Sequence, residues 1–242
     1  MRRFGLKRPD QQEPADLWIK HYEMFTRLYR GREDIIALQQ DDGQYVDLKG
    51  EGLTFPRFLD HVHLRKTYAI YNMDDTKRVH FGLFDLDVVN RQEGWGAVRS
   101  GIEEKRKESL RIMKTLLDLG LSRRNMLVEF PTVGFHIVFF FKHPVAAKAV
   151  KAMMQEVLQK SGLTHIPFYP RRVEESRYGD RVQLPLRINL NTSKRSNFVR
   201  DLEHFDPEHY DETPDFVVLE EVDPIDASWI SRWGQEGVGG RA

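Results

Sequence analysis

Apolar residues change their spacing several times along this chain, and each change marks an element. Over residues 15–29, Leu17, Trp18, Tyr22, Phe25, Leu28 and Tyr29 fall at intervals that predict an amphipathic helix ending near Gly31. Residues 35–45 read as a strand and turn, and 54–61 as a short helix. Residues 67–71 and 79–89 predict strands, separated by a turn-forming stretch at 72–77. Residues 101–119 form a long amphipathic pattern with Leu110, Met113 and Leu117 on one stripe and Gly120 as its natural stop. Residues 125–130 and 135–141 predict two strands joined by a turn at 131–134. A second amphipathic helix follows at 144–160, with Ala149, Val150, Met153, Val157 and Leu158 inward and Pro144 suited to its first turn. Residues 183–189 and 216–219 read as short strands, and 1–14 as a loose tail. Strands and helices alternate irregularly, so the pattern favours an α+β sheet domain over a regular doubly wound sheet.

Composition narrows this picture. The chain has 242 residues, 40% apolar and 31% charged, which suits one compact mixed domain with room for a small subdomain. No apolar run approaches the roughly 18 residues of a membrane span, so no membrane partner is expected. Residues 1–9 are basic and polar with no apolar stretch behind them, so no signal peptide is expected. There is no cysteine. That excludes disulfides, zinc ribbons and iron–sulfur clusters within the chain and fits a cytoplasmic location.

Formal net charge is zero, which argues against a simple basic nucleic-acid binder. The charge is uneven, however. Arg171, Arg172, Arg177, Arg181, Arg187, Lys194, Arg195 and Arg200 crowd one segment, and 201–225 is rich in Asp and Glu. Such a stripe reads either as a phosphate-binding surface or as an ordinary solvated one.

Three features carry chemistry. In Phe81-Gly-Leu-Phe-Asp-Leu-Asp-Val-Val89 the apolar flanks demand a buried strand, and strand alternation puts Asp85 and Asp87 on one face. Two carboxylates so close repel, and burying them unpaired is costly. A hard divalent cation, magnesium or manganese, resolves both problems. The pair otherwise reads as strand-end carboxylates held by Arg or capping a helix. Second, His136 is the one polar residue in the apolar run 135–141 and needs a partner. It is either a satisfied core histidine or a functional group, and Gly134 before it would let a phosphate approach the backbone. Third, Tyr169-Pro-Arg-Arg172, Gln183-Leu-Pro-Leu186 and Asn191-Thr-Ser-Lys-Arg-Ser196 cluster Arg, Lys and hydroxyl groups suited to triphosphate or template phosphates.

Taken in order, these pieces resemble the archaeo-eukaryotic primase superfamily, in particular the primase-polymerase domains of TOTE conflict systems and CRISPR-associated primase-polymerases. The likeness runs from Leu28-Tyr-Arg-Gly-Arg-Glu-Asp34 through 64–71, the Asp85/Asp87 strand, Glu129 and Gly134-Phe-His136. It ends in Tyr169-Pro170, Gly179-Asp-Arg-Val-Gln-Leu-Pro-Leu186 and Thr192-Ser-Lys-Arg-Ser196. Each motif is short, but their joint order is specific. The resemblance implies a primase-polymerase (RRM-like) catalytic sheet flanked by helices, with a small N-terminal helical cap. Residues 1–60 would form the cap and opening segment, 61–225 the catalytic domain and 226–242 a C-terminal tail. It further implies DNA primase or polymerase activity with Mg2+ or Mn2+, using nucleoside triphosphates and a single-stranded or primed nucleic-acid template. A helicase or zinc-binding subunit would be a separate chain. By the same resemblance Asp85 and Asp87 would hold the catalytic metals and His136 would contact the triphosphate. Arg171, Arg172, Lys194 and Arg195 are the phosphate-binding choices from the matching neighbourhood.

Three departures stand out. Gly134 replaces the family's usual Ser, and Asn189 stands where His is common. The family's third carboxylate normally lies just before the Tyr169-Pro170 position, where this chain has Thr164-His-Ile-Pro-Phe168. Glu129, Glu174, Asp180 and Asp201 are the substitutes, with Glu129 preferred as an in-strand metal ligand. Two rival functions remain: a catalytically silent nucleotide- or nucleic-acid-binding module, and a metal-dependent nuclease.

Overall fold

The structure is a computed structural model that describes residues 14–88 and 95–234. In chain order, α1 (Ala15–Leu28) leads into a hairpin of β1 (Ile35–Gln39) and β2 (Tyr45–Lys49). Then come α2 (Phe55–Val62), β3 (Tyr68–Tyr71), β4 (Arg78–Asp87), α3 (Trp95–Asp118), β5 (Met126–Phe130), β6 (Gly134–Ala146) and α4 (Ala147–Ser161). Short strands β7 (Phe168–Tyr169), β8 (Arg181–Gln183) and β9 (Asn197–Phe198) follow, then helical turns α5 (Val217–Glu220) and α6 (Ala227–Ile230). One sheet has the order β7-β4-β6-β5-β9 and the other β2-β1-β3-β8, with antiparallel neighbours throughout.

β6 is near-continuously apolar because both of its faces are covered. Phe135, Ile137, Phe139 and Phe141, with Phe84 and Leu86 of β4 and Val88 just after it, pack in one core with Ile102, Ile112, Met113 and Leu116 of α3 and Val150, Met153 and Val157 of α4. On the opposite face Val138 and Phe140, with Phe81 and Leu83 of β4, share a second core with Phe25, Leu28, Phe58, Ile36 and Ile70. Each such Leu or Phe contributes about 1.5–3 kcal/mol of burial. On this second face β4 runs Phe81, Leu83, Asp85, Asp87. It is apolar where it packs with α1, α2 and the second sheet, and acidic at its C-terminal end, where Asp85 and Asp87 are half-buried.

The mixed α+β class is borne out. The N-terminal segment holds the expected helices α1 and α2, and it also supplies β1 and β2, which pair with β3 and through it with β8. Of the segment read as a C-terminal tail, 227–233 form helical turns whose Trp229 and Trp233 pack against the larger core. Residues 1–13 of the expected loose tail, Val89 and residues 235–242 lie outside the described residues.

Several element readings are corrected. Met113 is buried and Leu110 packs against the core as expected, but Leu117 is 41% exposed, and Ile102, Ser109, Ile112 and Leu116 complete the buried side of α3. Residues 45–49 form the second strand of a hairpin beyond the turn expected there. Pro144 is in β6 rather than in a first helical turn. It falls where the β4–β6 register shifts between Val79 and Phe81, so its missing N–H breaks no ladder bond. Of 183–189 only Gln183 is in a strand. Residues 217–220 are a helical turn rather than a strand. Phe216, at its start, stacks on His21 of α1 with ring centroids 4.2 Å apart, so tertiary packing overrides the β-branched pattern.

Candidate active site

Strand register builds the site. Asp85 of β4 pairs with His136 of β6, and His136 pairs with Glu129 of β5. On the other side, Leu83 pairs with Tyr169 and Phe84 with Phe168, and the Asp85 N–H donates to the Pro167 carbonyl at 2.9 Å. One row therefore crosses the sheet: Pro167, Asp85, His136, Glu129. Side chains in one row share a face, so the imidazole lies between two carboxylates. Its Nδ1 is 2.8 Å from Glu129 Oε2, and its Nε2 is 3.6 Å from Asp85 Oδ1. Asp87, two residues along β4, shares that face. Asp85, Asp87 and His136 each offer a ligand atom within 4.8 Å of the others.

Electrostatics follow from this order. Burial alone would push the imidazole pKa down, but the Glu129 charge and hydrogen bonds to Asp85 and Glu129 raise it to about 10. Burial would likewise push the Glu129 carboxyl up, but the His136 charge and hydrogen bond, then Arg187 and the Ser196 hydroxyl, hold it below its ordinary value. The pair is thus ionised at neutral pH, with Nδ1–H donated to Glu129 and Nε2–H directed toward Asp85. The Tyr169 hydroxyl lies 3.5 Å from Asp85 Oδ2, a long contact. Burial, then the Asp85 charge, push its pKa up to about 12, so it is a neutral donor.

The donor set fits a hard divalent cation. The Asp85 and Asp87 carboxylates supply the hard oxygen ligands of magnesium and manganese sites, while the protonated His136 beside them is a donor rather than a ligand. None of the four substitute acids joins that group among the described residues. Glu129 faces His136. Asp180 accepts from the backbone N–H of Arg171 (2.6 Å) and Arg172 (3.1 Å) and from Arg172 Nε (3.0 Å). Glu174 pairs with Lys151 at 3.1 Å and Asp201 with His204 at 2.8 Å. The register puts Pro167, within the acid-free stretch 164–168, beside Asp85.

The remaining sequence choices separate into two groups. Arg171 and Arg172 line a cleft of about 520 Å³ whose wall includes Tyr169, the residue whose hydroxyl approaches Asp85. Lys194 lies over the Tyr210 ring at 5.5 Å, and the Arg195 N–H donates to Glu212 at 2.8 Å. That loop joins the β5–β6 turn, where the Thr132 and Thr192 hydroxyls are 2.8 Å apart. Asn189 is a structural clamp there: its side chain donates to the Pro131 carbonyl at 3.0 Å and accepts from the Asn191 N–H at 2.9 Å.

Gly134 has a different reason from the one expected. A Cβ there would collide with the Leu86 carbonyl oxygen and lie 2.8 Å from Asp87 Cα. The glycine lets β6 approach β4 next to Asp87, so the space above it is taken by backbone rather than left for a phosphate. Arg187 was missed as a site residue. It is 8% exposed and its charge reaches Glu129. The signal was an arginine directly after the apolar Leu184-Pro-Leu186, which demands a buried carboxylate.

Comparison with known proteins places the chain in a family. No curated protein matches it. Among solved structures, the archaeo-eukaryotic primase domain of the cyanophage S-2L primase-polymerase is similar over 87% of this chain and 98% of that one, at 14% identity and a TM-score of 0.41. Residues 44–232 match the family described as the archaeo-eukaryotic primase domain of TOTE conflict systems. That match spans Asp85, Asp87, Glu129, His136 and the whole basic segment, so this chain belongs to the TOTE-type archaeo-eukaryotic primase family.

Proposed function

We propose that the chain is a template-directed nucleotidyltransferase that joins nucleoside triphosphates on a single-stranded or primed nucleic acid and releases pyrophosphate. The observation that carries this reading is the group of Asp85, Asp87 and His136, whose ligand atoms lie within 4.8 Å of one another on one face of the sheet. Asp85 and Asp87 would hold Mg2+ or Mn2+. When bound, the cation neutralises phosphate charge and activates the attacking hydroxyl. The 3′-hydroxyl oxygen bonds to the α-phosphorus as the bond to the pyrophosphate oxygen breaks, and the hydroxyl proton passes to solvent. His136 donates from Nε2 to a phosphate oxygen. Glu129 acts through His136 as a positioning residue, keeping the imidazole charged and its Nε2 aimed at the site. Arg171 and Arg172 in the cleft, and Lys194 and Arg195 on the loop beyond, serve nucleotide or template phosphates. A helicase or zinc-binding subunit would act as a separate chain. No helix among the described residues is long and apolar enough to cross a membrane.

One observation favours a second reading, a silent nucleotide-binding module. The stretch just before Tyr169-Pro170, where the resemblance implies a third carboxylate, holds none, and its Pro167 is the residue beside Asp85. Extension of a labelled primer–template with added triphosphates and Mg2+ or Mn2+ separates the two. The first reading expects incorporation that Asp85→Asn and Asp87→Asn each abolish without loss of the folded state. Triphosphate binding with no incorporation under either metal would establish the second.

A further inference from the structure

The cleft that begins at Tyr169 continues onto the edge of the second sheet, and its lining there is not needed to hold a cation or a triphosphate. β8 is the edge strand of that sheet and pairs with β3, setting Tyr71 opposite Arg181. Tyr71, Arg171, Arg172 and Arg181 line the cleft together with Tyr169. Beyond them the Tyr178 ring lies 5.5 Å from the Tyr71 ring, with the guanidinium of Arg32 5.0 Å and that of Arg177 5.5 Å from its centroid. Arg181 in turn lies 4.3 Å over Tyr45.

The strip is built rather than incidental. Asp180 is 1% exposed and grips two backbone N–H groups of the arginine loop as well as the Arg172 side chain. Its own N–H donates to Asn72 Oδ1 at 3.0 Å, and the Asn72 N–H donates to the Asp180 carbonyl at 3.1 Å. Gly179, at φ +78°, fits against Asn72 and Met73 where a side chain would collide, so the loop is clamped to the end of β3. Asp34 neutralises Arg32 and Asp180 neutralises Arg172, while Arg171, Arg177 and Arg181 present exposed guanidinium groups.

Alternating tyrosine rings and guanidinium planes along a groove are the chemistry of single-stranded nucleic-acid binding: rings stack on bases and cations track phosphates. We propose that this edge is the path of the unpaired template strand. Its bases stack on Tyr71 and Tyr178, and its phosphates meet Arg177 and Arg181 before the strand reaches the acidic pair past Tyr169. The proposal rests on the polymerase reading and adds where the template lies.

The test is anisotropy of a fluorescein-labelled oligothymidylate, alongside calorimetric binding of a nucleoside triphosphate with Mn2+. Tyr71→Ala should weaken the oligonucleotide roughly ten-fold, and Tyr71→Phe, which keeps the ring and loses only the hydroxyl bonded to Asp47, should restore most of it. Arg177→Ala with Arg181→Ala should flatten the logarithmic salt dependence by about 0.7 for each phosphate that is no longer neutralised. Triphosphate affinity and melting temperature should stay unchanged in all three. Wild-type oligonucleotide affinity in the variants would overturn the strand path while leaving the polymerase reading intact. So would a loss of triphosphate affinity alone, which would make the cleft a nucleotide site. A wild-type protein that neither binds the oligonucleotide nor incorporates nucleotides would overturn both.

Discussion

Glu129→Gln isolates the charge behind His136. The Glu129 carboxylate is 2% exposed and accepts from Nδ1 at 2.8 Å, and a glutamine oxygen can accept from the same Nδ1–H, so the fold and the ring orientation should survive. Only the charge is removed. Opposite unit charges 2.8 Å apart attract by about 6 kcal/mol at an effective dielectric near 20, worth about four pK units. That exceeds the whole rise of the imidazole from 6.5 to about 10, which burial opposes. The variant should therefore return His136 to its ordinary value or below. At pH 8 it would then carry about 30-fold less imidazolium than the native protein. The assay is primer extension with triphosphate titrated from pH 6 to 9. The native protein should hold its KM for triphosphate up to about pH 9, and the variant should lose affinity steadily above about pH 6.5. A variant profile parallel to the native one would refute the positioning role. A raised metal requirement at unchanged pH dependence would instead make Glu129 a direct metal ligand.

Two further expectations concern single residues. Pro167→Asp puts a carboxylate beside Asp85 just before the edge strand β7, so incorporation should rise and less metal should be required; unchanged metal dependence would show that the site works without a third acid there. His61 donates from Nε2 to the Pro185 carbonyl (2.8 Å) and accepts the Tyr68 N–H at Nδ1 (3.1 Å), and burial pushes its pKa down to about 4. Because that lies below the unfolded value, its contribution is full above about pH 6.5 and fades as pH falls toward 4, about 3 kcal/mol in all. Urea midpoints should fall across this window in the native protein and less in His61→Leu; equal falls in both would refute the assignment.

Much of the site was readable because strand alternation is a local rule. Asp85 and Asp87 follow directly from Phe81 and Leu83 on one face, and a histidine inside seven otherwise apolar residues had to have a partner. The partner's role was not readable. Whether Glu129 holds a metal or an imidazole depends on a cross-strand register that spacing does not encode. Gly134 looked like an opening for phosphate, yet its neighbour is the Leu86 carbonyl of a strand nearly fifty residues earlier. Pro144 and 216–219 were misread for the same reason: a register shift in β6 and the stacking of Phe216 on His21 are tertiary facts imposed on weak local preferences.

Anomalous scattering from crystals grown with Mn2+ and a non-hydrolysable nucleoside triphosphate tests the central claim most directly. The account predicts a manganese peak bridged by the Asp85 and Asp87 carboxylates, with His136 Nε2 on a phosphate oxygen and Glu129 still on Nδ1. A peak at the Asp206, Glu208 and His209 group with none between Asp85 and Asp87, or a triphosphate bound away from His136, would contradict it.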